Sequence, residues 1–351
     1  MFTAQSLKDQ FSELLVDAVG PLSNMIHLVS PVETPAASSL VFAQDEKTLL
    51  SALQSKATAI VTSLRWKDKV PANPQQIVFF SKNVGLAQAK LTQKIMGRYA
   101  PLDKALAGVH PTAVISPKTK VPTSCHIGPY VVIGAEVQLG ENIVVSAHCV
   151  IEDRVKIGSN TKLWPHVVIA ADCVVGSECV IHPHTTIGSE GYGFSHDEKG
   201  NHYRIPQIGN VVIEDRVELG SHCSIDRSTF GATRVGAGTV TDNYVHLAHN
   251  STVGKNCVLA FGFGLAGSSH IGDNVMAGGR VSITDHVTLA SGVRLGGVSV
   301  VTKDVTEPGD YGGYPLQKIK DYLKTTASLP SLPEMRKELA RLSRLLEKDS
   351  K

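Results

Sequence analysis

His246 and His249 stand three residues apart, His286 follows, and Gly267 lies between them along the chain. An imidazole titrates near neutrality and can take a proton from an attacking nucleophile. A glycine lets a backbone N–H approach a bound group closely, as stabilising a developing oxyanion requires. These residues act together only if the fold sets them side by side, and their spacing gives a reason to expect it. Gly267 is 18 residues after His249, and Ser268 and His286 follow Asn250 by one and two such steps. If three six-residue segments make one coil of a solenoid, residues eighteen apart stack on adjacent coils about 4.8 Å apart. His249, Gly267 and His286 then share one strip: a general base, an open N–H and a second imidazole, a set suited to acyl transfer. No serine occupies a nucleophile motif, so direct attack without an acyl-enzyme is expected. Asp242 and Asn243 fall just upstream, as sugar contacts, as groups orienting the base, or as simple turn caps.

The solenoid is written in the sequence. From Val109 an aliphatic residue recurs every sixth position through Ile115, Val121, Ile127 and on to Ile187, fourteen times without a miss. The beat resumes at Ile213, Leu219 and Ile225, and again from Val235 to Val301, where only Thr241 and Ala277 are not large aliphatics. A helix repeats its face every 3.6 residues and cannot hold a strict period of six. The period predicts a mainly β fold, a hexapeptide parallel β-helix with the recurring aliphatic turned inward. Two stretches break the beat, residues 189–207 and 226–234, and such insertions are expected as loops beside the binding face. Cys125, Cys149, Cys173, Cys179, Cys223 and Cys257 each precede a marked aliphatic by two, one repeating slot. They read as packed thiols, since no CxxC spacing suggests a metal site or a disulfide set.

The flanks differ. Residues 1–105 lack the repeat and read as a small α/β domain. Leu7, Phe11, Leu14 and Leu15 follow a helical spacing with Thr3 as cap; residues 39–42 and 76–80 read as strands, and 86–99 as a helix. The β-helix is assigned to 106–305 and a helical extension to 306–351. There Leu332, Met335, Leu339, Leu342 and Leu346 alternate by three and four, a seam for a short bundle between chains or for docking on the solenoid. With 34 basic and 32 acidic residues, the net charge of +2 gives no electrostatic case for nucleic-acid binding. No run approaches the 18 or so apolar residues of a membrane span. The first twenty residues carry Lys8, Asp9, Glu13 and Asp17 and no apolar core of a signal peptide. With reduced thiols, this suggests a cytoplasmic protein.

Particular motifs go further than the repeat. The segment 205–220 (IPQIGNVVIEDRVELG), Ile225-Asp-Arg227, Gly191-Tyr-Gly-Phe194, Asp242-Asn243, Ala248-His249-Asn250, Thr306-Glu-Pro-Gly-Asp-Tyr311 and Pro315-Leu-Gln317 together resemble the UDP-3-O-acylglucosamine N-acyltransferases of lipid A synthesis. The resemblance spans nearly the whole chain, with the same order of small domain, β-helix and C-terminal helices. It implies a left-handed β-helix, a homotrimer with active sites between subunits, and no metal or other cofactor. It implies transfer of a 3-hydroxyacyl group from the phosphopantetheine thioester of acyl carrier protein to the 2-amine of a UDP-3-O-acyl-glucosamine. His249 is the implied base. His286 is expected at the pantetheine arm or carrier phosphate, or as an aid in proton transfer.

The Leu40-Val-Phe42 region looks like that family's uridine-binding domain. The family stacks uracil between two aromatic rings with an Asn between them. The matching positions are Phe42, Asp45 and Thr48, so one ring is kept, an acid replaces the amide and the second ring is absent. His246 stands where the family often has Gln, with Asn250 close by as a further substrate contact. Small residues at 296–301 leave room for a long acyl tail, with Val300 helping to set its length. Three rivals remain: another nucleotide-sugar acyltransferase, a non-catalytic sugar-binding trimer, and a zinc enzyme like the γ-class carbonic anhydrases built on His246 and His249.

Overall fold

The computed structural model describes residues 2–97, 102, 105–312, 324–325 and 327–349. The chain divides into two units, Met1–Leu106 and Ala107–Lys351.

The first unit is a five-stranded sheet in the order Leu15–Val19, Ile77–Ser81, Ala59–Ser63, Ser39–Ala43, Leu28–Val29. The last four strands run parallel, and Leu15–Val19 joins antiparallel at one edge. One face buries Leu7, Leu40, Val61, Phe79 and Leu91, the other Val41, Leu49, Ile60 and Phe80. The strands are therefore apolar on both sides, as a covered parallel sheet requires. Thr3 caps the first helix as its sequence suggests, its Oγ1 accepting from the Ser6 N–H at 3.1 Å. That helix, Ala4–Gln10, stops before Leu14 and Leu15. Leu15 instead opens the edge strand, where pairing with Ile77–Ser81 outweighs the local periodicity. The helix expected to reach Tyr99 is Val84–Met96, closed by Gly97 at φ 83°; Tyr99 lies outside the described residues.

The second unit is a left-handed β-helix. Two- to four-residue strands stack into three parallel sheets of 11, 10 and 8 strands, apart from a short hairpin noted below. The first face runs from Gly108–Val109 to Gly309–Tyr311, the second from Val114–Ile115 to Val300–Val301, and the third from Gln138–Leu139 to Thr288–Leu289. The register advances by eighteen in the uninterrupted coils: His246 pairs with Gly264, Gly264 with Ser282, and Ser282 with Val300. The marked aliphatics from Ile127 to Leu295 form one continuous core. Sharp corners demand left-handed backbone, and non-glycine residues supply most of it, among them His148, His166, His184, His222, Asn250, Ser268 and His286.

All six cysteines are buried and free. Their slot is a hydrogen-bonding one: the Cys149 Sγ donates to the Trp164 carbonyl at 3.1 Å, as Thr161 and Thr239 hydroxyls do to the Gly176 and Gly254 carbonyls. Burial pushes the Cys149 and Cys179 thiols up to about 11, so neither is a ready nucleophile.

Each face mixes apolar and polar outward residues. The first exposes Val240, Val258 and Met276, and the second Val114, Val132 and Val300. The third presents Gln138, Lys156, Arg234, Thr252 and His270. On the corner between the first two faces, Tyr130, His148, His166, His184, His222 and Tyr244 form a ladder of stacked rings with centroids 4.8–5.1 Å apart. The C-terminal helix Leu332–Asp349 leaves Met335, Leu339 and Leu342 of its apolar seam exposed.

Candidate active site

A cleft of about 500 Å³ opens on the second face and its following corner. His246, Gly264 and Ser282 form its floor along one register row; His249, Gly267, Asp285 and His286 form its rim, and Tyr192 overhangs it. The strip expected from eighteen-residue stacking is present: the Ser268 N–H donates to the His249 carbonyl at 3.0 Å, and the His286 N–H to the Gly267 carbonyl at 3.2 Å.

The His249 ring is gripped between two glycines. A Cβ on Gly267 would stand 2.7 Å from Cε1 and 2.9 Å from Nε2 of the imidazole, and one on Gly191 would stand 2.7 Å from the His249 Cβ. Gly191 comes from the first insertion, which folds back as a hairpin of Phe194–His196 and Phe194's partner strand His202–Arg204. Gly267 also carries an open amide. At several corners the equivalent N–H is capped by a side chain eighteen residues on, as Ala135 is by Asp153 and Lys255 by Asp273, both at 2.7 Å. Asp285 occupies that capping position for Gly267 yet makes no such bond among the described residues, so the amide is open beside the imidazole.

Both insertions build the support behind the ring. Gln207, at the end of the first, is buried; its Oε1 accepts from the Thr229 hydroxyl at 2.9 Å. Thr229, in the second, also donates its N–H to the Asn250 Oδ1 at 2.8 Å. That bond fixes the amide orientation, so the Asn250 Nδ2 faces the His249 Nδ1 at 3.0 Å. Nδ2 can only donate, so Nδ1 accepts, and the neutral ring carries its proton on Nε2.

Beneath the cleft lies a carboxylate that pattern reading passed over. Asp226 is buried; its Oδ1 accepts from the Ser189 hydroxyl at 2.8 Å, and its Oδ2 is 3.6 Å from the His246 Nε2. Burial pushes its carboxyl above the usual carboxylate range, against the opposing pull of the Ser189 bond and of the nearby His246 and His249. Its sequence signal was an acid directly after an inward aliphatic, at the start of an insertion. Arg227 does not neutralise it, since its guanidinium donates to the Gly188 and Ala171 carbonyls at 3.0 and 2.7 Å.

Other expected residues sit elsewhere. Asn250 acts from behind the ring. The Asp242 Oδ1 accepts from the Asn243 N–H and the Asn243 Oδ1 from the Ser221 N–H, both at 2.7 Å, and neither side chain lines the cleft. Val300 continues the row of Ser282 by one step and is exposed. Phe42 and Asp45 belong to the first unit. The Phe42 ring is half-buried against that unit's core, and Asp45 caps the helix Glu46–Leu53 by accepting from the Thr48 N–H at 2.8 Å. Pro315-Leu-Gln317 lies outside the described residues. Among the described residues no group of three or more His, Cys, Asp or Glu is placed to hold a metal ion, and no helix is long and apolar enough to cross a membrane.

Residues 154–189 match the family model of the bacterial transferase hexapeptide (six repeats). Over 331 residues, 94% of this chain and 93% of the relative, the sequence is 39% identical to the UDP-3-O-acylglucosamine N-acyltransferase of Methylococcus capsulatus. The chain belongs to the UDP-3-O-acylglucosamine N-acyltransferase family. Enzymes of the same name from Helicobacter hepaticus and Coxiella burnetii are 38% and 32% identical, each over 92% of this chain and 90% and 92% of their own. Membership makes the chain an acyltransferase.

Proposed function

We propose that this enzyme moves a 3-hydroxyacyl group from the phosphopantetheine thioester of acyl carrier protein to the 2-amine of a UDP-3-O-(3-hydroxyacyl)-glucosamine, a step of lipid A synthesis. The observation that carries this reading is the His249 imidazole packed on Gly267, whose amide is uncapped beside the ring. The names of the full-length relatives support the substrate class.

In this reading the amine attacks the thioester carbonyl, and the new oxyanion accepts a hydrogen bond from the Gly267 N–H; one such donor is worth about 3–4 kcal/mol. His249 takes the nitrogen's proton as the C–N bond forms and returns it to the thiolate as the C–S bond breaks. Its acceptor form, with the proton on Nδ1, requires the Asn250 contact to open when substrate binds. His286 stands where it can meet the donor's pantetheine arm, and the row from Ser282 to Val300 receives the acyl tail. The first unit, through Phe42, holds the uridine. Exposed valines and a methionine on the first two outer faces suit a cyclic trimer in which each chain meets two neighbours, with the exposed helical seam as a bundle beyond the solenoids. The enzyme is placed in the cytoplasm, where acyl carrier protein is found.

The test is transfer from 3-hydroxyacyl carrier proteins of several chain lengths to UDP-3-O-acyl-glucosamine, followed by mass spectrometry. N-acyl product is expected for at least one length. Absence of product at every length, or acylation only of a sugar hydroxyl, overturns the reading.

A further inference from the structure

Acylating an amine involves two protons. The acceptor in water is largely an ammonium ion, which must lose one proton before its nitrogen has a lone pair. The second leaves the nitrogen as the amide forms and ends on the departing sulfur. His249 can shuttle the second with no net gain, but the first needs another acceptor.

We propose that His246, oriented by the buried carboxylate of Asp226, is that acceptor: it takes the ammonium proton and holds it while the free amine attacks. This rests on the acyl transfer proposed above. His246 lies on the cleft floor, one register step from Gly264 and three residues before His249. Its side chain is 51% exposed, so it meets both substrate and solvent, whereas the Asp226 carboxylate 3.6 Å away is only 7% exposed. Among the described residues the cationic partners that face this carboxylate are imidazoles, His246 and more distantly His249; on the remaining sides lie the Ser189 and Ser224 hydroxyls. The other titratable groups of the cleft are Tyr192 on the overhang and Asp285 and His286 on the rim. The approach of the Asp226 Oδ2 to within 3.6 Å of Nε2 orients the half-open ring and leaves Nδ1 as the nitrogen that can accept a proton. The proton count closes: the ammonium gives one proton to His246, and the C–N bond forms. His249 carries the nitrogen's second proton to sulfur as the C–S bond breaks, and after release of amide and thiol His246 returns its proton to water.

The readout is the pH dependence of kcat/KM for the wild type, His246→Gln, Asp226→Asn and the double variant. Because the wild type keeps the proton in the cleft, its kcat/KM stays level as the pH falls through the amine's own pKa. The variants can use only amine that is already free, so theirs falls by about tenfold per pH unit below it. Above that pKa the gap from the wild type narrows, and the double variant is no worse than the poorer single one. Asp226→Asn should also melt no lower than wild type at neutral pH. The native state binds the Asp226 proton more tightly than the unfolded chain does. Ionisation therefore lowers stability as the pH rises from the ordinary value of 3.8 through the native one. A loss that is constant across pH, additive losses in the double variant, or no loss at any pH overturns the inference while leaving the reaction standing. A wild type that transfers no acyl group at any pH removes the reaction itself.

Discussion

Two corners of the same β-helix carry histidines, and they have become different things. On the corner before the second face, His148, His166, His184 and His222 stack ring on ring between Tyr130 and Tyr244, all exposed in the single chain. On the corner after it, His249 and His286 flank a cleft and do not stack, because they lie two coils apart in neighbouring rows, His249 in line with Gly267 and Asp285, and His286 with Asn250 and Ser268. The ladder is what the repeat produces when left alone: identical corners eighteen residues apart bring identical rings to van der Waals distance. The cleft arises where the repeat is interrupted. The insertions at 189–207 and 226–234 bring Gly191, Gln207 and Thr229 behind His249 and Asp226 beside His246, with hydrogen bonds and burial of their own. A histidine on this scaffold gains chemistry from its irregular neighbours.

The comparison can be broken most forcefully at a glycine. Gly267→Ala keeps the amide but puts a methyl 2.7 Å from the His249 Cε1, and Gly191 blocks retreat on the other side. Turnover should fall by about a hundredfold or more. Gly279→Ala, beside the ladder corner, meets nothing nearer than the Phe261 carbonyl at 3.5 Å and should leave turnover within about twofold. Equal losses in the two variants would mean that glycines here serve only the coil.

A smaller effect is expected from the support behind the ring. Thr229→Val removes the hydroxyl that links Gln207 to Asn250 while keeping the N–H bond to Asn250. It should lower kcat by about ten- to a hundredfold through a misplaced imidazole, with little change in KM. His166→Ala takes one rung from the ladder and should change kcat by less than about twofold. A ladder variant that costs as much as the Thr229 variant would show the two corners to be coupled.

The same contrast explains what could be read from the chain. The solenoid was legible because fourteen aliphatics at period six admit one architecture, and the shared placement of His249, Gly267 and His286 was legible because eighteen-residue stacking is a consequence of it. Asp226, Gln207 and Thr229 were not, since their roles depend on how two aperiodic insertions fold back, and no period announces that. Leu15 misled for a related reason. Its spacing from Leu7 fits a helix, but both are buried in one core from different elements, and the sheet partner that decides the matter is more than sixty residues away. Asp45, set beside a ring by family likeness, has its carboxylate engaged as a helix cap.

The central claim is that the reaction's proton transfer from nitrogen to sulfur rests on one imidazole of the interrupted corner. Its most direct test is acyl transfer from 3-hydroxyacyl carrier protein to UDP-3-O-acyl-glucosamine by His249→Ala and His184→Ala beside the wild type, with folding checked by thermal melting. The account predicts a loss of about 10²- to 10⁴-fold for His249→Ala and near wild-type turnover for His184→Ala. A folded His249→Ala enzyme with turnover close to wild type would contradict it.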